Sequence, residues 1–228
     1  MTTTDTLMAR AALWAWAARA LTYPTVPQRQ SFADRSARDR LDSLAASLDA
    51  NGSVATALRK LWAAADEEDA TGIRLEEEHT FLFGRHVRVP PYESSYVLEP
   101  GTDRSTHLAE IGGLYAAFGF AVSAAHPDMP DHLGAECELL AALLAKEAYA
   151  FDQGWTSRAK LTRRARRKLI VEHLQCWLPA FSERLDKHHR QSFYPALAGL
   201  MLALLAVEER QLRAPRPTAP DLAASGVP

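Results

Sequence analysis

The sequence predicts an all-α protein, built as a single compact bundle of about nine helices with two long irregular connections. Its 228 residues include 41 Ala and 30 Leu but 9 Val and 3 Ile. Alanine and leucine head the helix-propensity scale, whereas β-branched residues favour strands. The composition, with 47% hydrophobic and 24% charged residues, is that of a globular protein with a sizeable core.

Apolar side chains at helical spacing predict four helices in the first part of the chain. The first ends before Pro24, because the residue preceding a proline disfavours the α conformation. Pro27 can open the second helix, and Asn51-Gly52 marks the turn that follows it. The apolar face of the first helix comprises Leu7, Ala11, Trp14, Ala18 and Leu21. The four predicted ranges are 4–22, 27–49, 53–66 and 72–83.

A long irregular segment with three prolines is predicted over 84–101, and loops of this length are often functional. A fifth helix is predicted over 103–118 and ends at Gly119. Its apolar face holds Leu108, Ile111, Tyr115 and Phe118. The second irregular segment, 120–130, follows.

The remaining predicted helices cover 131–152, 157–177, a short stretch to about 189, and 192–212. Leu133, Cys137, Leu140 and Leu144 form an apolar stripe on the first of them. Pro179 is expected to end or kink the helix before it, since proline removes a backbone donor. The predicted domain is therefore 1–213, and a proline-rich tail, 214–228, is expected to be disordered.

The charge pattern argues against a nucleic-acid partner and against stable membrane anchoring. The net charge is −2, and the basic cluster 158–168 spreads over more than one helical face, with Leu161, Ala165 and Leu169 on an apolar side. We expect that cluster to be a solvated face or a patch for an acidic partner. Arg19 interrupts the N-terminal apolar stretch, which is expected to be a helix face and not a targeting signal. The twelve apolar residues 196–207 are too few to span a bilayer.

Two cysteines, Cys137 and Cys176, are expected to be buried thiols in a reducing compartment, and we place the protein in the cytoplasm. An alternative function is a helical metal-binding enzyme or carrier that uses Glu76 and His79. This pair matches the Glu-x-x-His element of di-iron bundles, which need two such elements. The sequence holds one, and His79 is in line with apolar residues, so we expect a core histidine. No cofactor and no catalytic residue are predicted.

Two segments are unusual for a plain helical bundle. The first, 90–96, reads Pro-Pro-Tyr-Glu-Ser-Ser-Tyr and places two aromatic residues and a carboxylate between helices. Such a segment either lines a groove that binds a peptide or is a rigid linker. The second, 126–133, contains Asp131 and His132 at the start of a helix. Asp131 is expected to cap that helix, and together with His132 it can attract a cationic group.

Three blocks of sequence resemble the TorD/DmsD/NarJ family of molybdoenzyme maturation chaperones. The first is Glu-Glu-His-Thr-Phe-Leu-Phe-Gly at 77–84, followed by 90–96. The second is Met-Pro-Asp-His-Leu at 129–133. The third joins His173, Leu174, Trp177, Pro179 and Phe181 to Phe193 and Tyr194. The resemblance covers about 75–212 in the family's order and spacing.

The resemblance implies an all-helical cytoplasmic chaperone, a monomer or weak homodimer, that is not an enzyme. Its partner would be the catalytic subunit of a molybdopterin-dependent oxidoreductase. It would bind the N-terminal leader of that subunit, a twin-arginine signal peptide, and hold the subunit for cofactor insertion. The mixture of motifs resembles chaperones that serve dimethyl sulfide or ethylbenzene dehydrogenase and selenate or chlorate reductase.

Carried over by the resemblance, the peptide-binding residues are Tyr92, Glu93, Ser94, Tyr96, Asp131 and His132. Tyr92 stands where DmsD-like members often have tryptophan. On this hypothesis the apolar part of the leader fits an aromatic groove. The Asp131 and Glu93 carboxylates are then expected to receive the arginines of the leader.

Overall fold

The computed structural model describes residues 2–48, 51–69, 74–121, 129–188 and 192–213. These residues form α-helices, one π-helical turn and an isolated β-bridge. The α-helices are α1 Thr3–Ala20, α2 Val26–Ala33, α3 Arg35–Leu48, α4 Ser53–Asp69, α5 Arg74–Phe83, α6 Ser94–Val97, α7 Ser105–Ala117, α8 Leu133–Asp152, α9 Thr156–Lys168, α10 Gln175–Asp186 and α11 Phe193–Arg213. The π-helical turn, Leu169–Leu174, joins α9 to α10 without a break.

The all-α prediction is confirmed. If the continuous segment 156–186 is counted as one helix, the described part of the chain has ten helices, nine of them with seven residues or more. The first irregular connection is also present, although it contains the short α6. The predicted tail 214–228 and part of the second connection, 122–128, lie outside the described residues.

The core forms where α1 lies along α8, α9 packs on α8, and α11 packs against α4. The apolar face predicted for the first helix is buried at all five positions, and so is the predicted stripe on α8. The largest side chains in the core are Trp14 of α1 and Trp177 of α10, and both are fully buried. No helix among the described residues is both long and apolar enough to cross a membrane.

The helix predicted over 27–49 is wrong, because the chain forms α2 and α3 with a break at Asp34. Asp34 takes an extended conformation (φ −66°, ψ 110°), and its carboxylate accepts a hydrogen bond from the Ser36 N–H at 3.0 Å. Aspartate favours this arrangement because its short side chain can satisfy an N–H group at the start of a helix. The helical periodicity continues across the break, which is why spacing alone predicted one helix.

Pro179 does not end a helix. It lies inside α10, five residues after the end of the π-helical turn. A proline in a helix interior leaves a carbonyl of the preceding turn without its N–H partner and crowds that turn. The carbonyl that loses its partner is that of Gln175, and α10 continues past the proline to Asp186.

The thiol prediction is correct for Cys137, which is buried in α8, and wrong for Cys176, which is exposed on α10. The Cys176 sulfur lies 3.4 Å from the carbonyl oxygen of Glu172, one turn earlier. The thiol therefore lies along the surface of its own helix. Both thiols are free.

Four charged side chains from four helices meet in the core, and we call them the buried charge quartet: Arg10, Glu147, Arg166 and Glu208. Each is at most 2% exposed. Arg166 donates to Glu147 and to Glu208, at 2.8 Å in both cases, and Arg10 donates to Glu208 through Nε at 2.7 Å and also through Nη2. The quartet has two positive and two negative side chains, so its formal charge balances.

Arg166 also corrects the prediction for the basic cluster 158–168, which is not a uniformly solvated face. The Arg163 guanidinium donates to the carbonyl of Gln211 at 2.9 Å, and Lys168 forms an ion pair with Glu110 at 3.1 Å. Leu161, expected on the apolar side, is 60% exposed. The helix therefore turns its Ala159, Thr162, Ala165 and Arg166 side inward.

We expect Arg166→Leu to lower the free energy of unfolding by about 3–5 kcal/mol, because Glu147 and Glu208 would stay buried without that guanidinium. The control is Arg167→Leu, which removes the next, exposed arginine and should change stability by about 0.5 kcal/mol or less. Urea denaturation of the two variants and the unmodified chain measures the difference. Equal effects of both substitutions would contradict a stabilising role for the quartet.

Candidate functional site

The two irregular connections meet at an antiparallel β-bridge between Tyr92 and His132. The Glu93 N–H donates to the Asp131 carbonyl and the Leu133 N–H to the Pro91 carbonyl, both at 2.9 Å. This backbone pairing brings together the segments that contain all six sequence-predicted site residues. We call this region the bridge site.

The helix starts at the bridge site are capped differently from the prediction. The Asp131 carboxylate does not cap α8; its Oδ2 accepts from the Ser94 N–H, at 3.1 Å, where α6 begins. His132 caps α8 instead, and its Nδ1 accepts from the Gly134 N–H at 3.1 Å. A side chain on Gly134 would crowd the imidazole, so glycine leaves room for this cap.

The Glu93 carboxylate faces the protein interior and lies between two histidines. Its Oε2 is 3.0 Å from His173 Nδ1 and 3.1 Å from His107 Nε2. His173 belongs to the π-helical turn and His107 to α7, so Glu93 connects the first loop to two separate elements. Glu93 and Asp131 are each 1% exposed. Both carboxylates are therefore turned away from solvent, and their contact with a ligand stays a prediction.

A third buried carboxyl group, Glu136 of α8, lies beneath the bridge site. Its Oε2 accepts a hydrogen bond from the Trp177 Nε1–H at 3.3 Å. Removal from water raises the pKa of the Glu136 carboxyl well above its ordinary value, and the nearby negative charge of Glu93 raises it further. Glu136 therefore favours the neutral acid, which limits the repulsion among the three clustered carboxyl groups.

Half-buried side chains form the outer part of the bridge site. The Tyr92 ring packs edge-on against the His132 imidazole, with ring centres 5.3 Å apart. Tyr96 packs on Trp177 at 5.4 Å, and burial raises the pKa of its hydroxyl to about 12. Ser94 is buried beside Asp131. Tyr92, Tyr96 and His132 are thus the predicted residues that a ligand can reach without a change in the loops.

The two residues of the metal-site alternative have protein partners. Glu76 forms an ion pair with Arg29. The His79 ring contacts the rings of Tyr23, Phe83 and Tyr194 at 5.1–5.7 Å, and burial lowers the pKa of its imidazole. This is the surrounding expected of a core histidine. Within the described ranges, no three His, Cys, Asp or Glu side chains are grouped to hold a metal ion.

Sequence reasoning missed the buried partners of Glu93. His173 was noted as part of a motif, but the π-helical turn that aims it at Glu93 has no signal in the residue pattern. His107 lies in a helix predicted correctly, next to Leu108, and nothing in its spacing distinguished it from a solvated histidine. Glu136 follows the Asp-His pair by one helical turn, and this spacing was the available hint of its burial under the bridge site.

Residues 47–183 match the family model described as the nitrate reductase delta subunit. This range contains both segments of the bridge site and the π-helical turn. Among curated proteins, the selenate reductase assembly chaperone of Thauera selenatis is 35% identical over 135 residues. The perchlorate reductase assembly chaperone of Dechloromonas aromatica is 30% identical over 109 residues. The TorD chaperone of Aliivibrio fischeri is 23% identical over 206 residues.

The coverage of these alignments differs. They include 57%, 48% and 89% of this chain and 67%, 47% and 94% of the respective relatives. The chain thus spans between about half and two thirds of the length of the two reductase chaperones, and nearly all of the TorD protein. The family resemblance predicted from the sequence is confirmed.

We expect the unmodified chain to lose stability as pH rises, because Glu136 ionises while buried, and we expect Glu136→Gln to remove this loss. Because the folded state raises the pKa of Glu136, its contribution is fully present below about pH 4.5 and is lost as pH rises toward the folded-state pKa. Glutamine stays neutral and keeps an oxygen for Trp177. The stability of the variant relative to the unmodified chain should therefore increase with pH, by at most about 1.4 kcal/mol per pH unit.

Urea denaturation between about pH 5 and about pH 8, where most other carboxyl groups are already ionised, measures this difference. The control is Glu138→Gln, which replaces an exposed glutamate on the same helix. The stability of this variant should follow that of the unmodified chain at every pH. If the free energies of unfolding of Glu136→Gln and the unmodified chain change with pH in parallel, ionisation of Glu136 does not destabilise the fold.

Proposed function

The chain belongs to the nitrate reductase delta subunit family, and we propose that it is an assembly chaperone for the catalytic subunit of a molybdopterin-dependent oxidoreductase. The observation that carries this proposal is the agreement between the family match over 47–183 and relatives named as reductase assembly chaperones. The client would be of the dimethyl sulfide or ethylbenzene dehydrogenase, selenate or chlorate reductase type. The names of the selenate and perchlorate reductase relatives support this type.

The proposed activity is binding and not catalysis. The chaperone would act in the cytoplasm, without a cofactor, as a monomer or weak homodimer. It would hold the catalytic subunit until its cofactor is inserted. The rigid helical core supports this role, because a preformed surface loses little conformational entropy when it binds an extended peptide.

We further propose that the N-terminal leader of the client, a twin-arginine signal peptide, binds at the bridge site. Tyr92, Tyr96 and His132 would contact the leader, since their rings are half-buried and offer apolar faces with a polar edge. Glu93, Ser94 and Asp131 would act as positioning residues, because their polar groups hold the first loop and the start of α6 in place.

This division of roles changes how the arginines of the leader would be recognised. A guanidinium at the surface would feel the buried carboxyl groups of Glu93 and Asp131 through the protein, but a direct ion pair requires the bridge between the two loops to open. The pairing consists of two backbone hydrogen bonds, and each contributes on the order of 1 kcal/mol. A direct ion pair would also have to break the contact of Asp131 with Ser94 and the contacts of Glu93 with His107 and His173, so it costs more than the backbone pairing alone.

Co-purification tests the proposal that the chain binds the catalytic subunit of an oxidoreductase. A molybdopterin oxidoreductase gene next to the gene for this chain would identify the candidate subunit, and the tagged chaperone should retain that subunit from cell extract. A subunit produced without its leader should be retained less. Failure to retain the full-length subunit would contradict the chaperone proposal itself.

The bridge site is tested by calorimetry with a synthetic leader peptide. We expect the double substitution Asp131→Ala/His132→Ala to weaken binding at least several-fold, because it removes a contact residue and the carboxylate that anchors Ser94. Tyr92→Ala should also weaken binding, and it leaves the backbone pairing intact. The exposed Glu138→Ala of α8 is the control.

Far-ultraviolet circular dichroism should show that each variant keeps its helical content. If the leader affinity of the double variant and of Tyr92→Ala equals that of the unmodified chain, while the fold is intact, the leader binds elsewhere.

A further inference from the structure

A groove of about 700 Å³ lies between the first irregular connection and α10. Val87, Tyr96 and Ala180 give it an apolar lining, and Arg88, Arg184 and Lys187 give it a basic rim. The side chain of Val87 is 44% exposed and so is available for contact. The groove adjoins the bridge site through Tyr96.

The charge of this groove differs from that of the whole chain. Its lining contains one acidic residue, Glu183, whose carboxylate is paired with Lys187 at 3.0 Å. Arg88 and Arg184 have no acidic partner among the described residues. With His188 of the lining counted as neutral, the groove carries a local charge of +2, from two arginines, one lysine and one glutamate, on a chain with a net charge of −2.

One of the rim arginines is held in place by the protein. The Arg88 guanidinium lies over the Phe81 ring, 3.8 Å from its centre, and Nη1 donates to the Phe81 carbonyl at 3.0 Å. A guanidinium fixed in this way loses little side-chain freedom when it meets an anion. Arg184 lies close enough to Tyr96 for its positive charge to oppose the rise of the tyrosine pKa. Positive charge therefore reaches the apolar lining itself.

We propose that this groove binds an acidic segment of the mature part of the client subunit, with one apolar side chain of that segment against Val87 and Tyr96. This inference rests on the proposed function, because it takes the client from there. A groove with a charge of +2 disfavours the basic part of a twin-arginine leader, since like charges at a contact are repelled. The chemistry that fits the rim is a carboxylate, which arginine binds in a planar, paired geometry.

The test uses two probes and the full chaperone chain. The probes are the mature client subunit, as it exists without its leader, and a synthetic leader peptide. We expect Arg184→Glu to weaken binding of the mature subunit at least ten-fold, and Arg184→Gln to weaken it less. Neither substitution should weaken binding of the basic leader peptide, and Arg184→Glu should strengthen it, because the leader is proposed to contact Tyr96, which lies near Arg184.

The matched control is Arg167→Glu, which reverses an exposed arginine on α9, outside the groove. It should leave binding of both probes unchanged. For the unmodified chain, affinity for the mature subunit should fall as salt rises from about 0.05 to about 0.5 M, because salt screens exposed charges. Arg184→Glu should reduce this dependence.

The outcomes separate the two proposals. If the leader peptide binds but the mature subunit does not, or if Arg184→Glu affects the mature subunit no more than Arg167→Glu does, the groove proposal is overturned and the chaperone function stands. If the unmodified chain binds neither the leader peptide nor the full-length subunit, both proposals fail.

Discussion

The buried charge quartet is the constraint on which the arrangement of the helices depends. Arg10, Glu147, Arg166 and Glu208 come from α1, α8, α9 and α11, and the two partners of each contact are 198, 42 or 19 residues apart in the chain. Apolar contacts tolerate sliding of one helix along another, but charged groups in a core must each reach their partner. The quartet therefore favours the relative register of these four helices in which all its contacts form.

The helix that carries Arg166 also connects the quartet to the bridge site. The segment 156–186 is continuous, and the π-helical turn within it presents His173 to the Glu93 carboxylate. This segment is held at two places. Arg166 forms buried ion pairs near its start, and His173 contacts the buried Glu93 carboxylate further along. The position of the first irregular connection is thus tied to the core through side-chain chemistry and not through loop sequence alone.

The fold could be predicted from the sequence to a large extent, because helices follow from local apolar spacing. The buried faces of α1 and α8 were predicted at every position named. Local spacing failed at Asp34, where one side chain caps a new helix, and at Pro179, where the helix continues past the proline.

The candidate site was harder to predict, because its geometry depends on contacts between distant segments. The sequence identified both loops, and the structure brings them together. It did not indicate that Glu93 and Asp131 point inward, because the direction of a carboxylate depends on partners such as His107 and His173, which lie elsewhere in the chain. Residue type indicated candidate positions, but not which of them are accessible.

The bridge site also has a consequence for the order in which the protein folds. Asp131 and Ser94 are 37 residues apart in the chain, and His173 and Glu93 are 80 apart. Closing such long loops costs entropy before any contact compensates for it, so non-local contacts of this kind form late. The core on which the bridge site rests joins residues even further apart, since Arg10 and Glu208 are separated by 198 positions, so the core and the paired loops both require nearly the whole chain. The surface proposed to receive another protein's leader would then exist only on molecules that have already folded themselves.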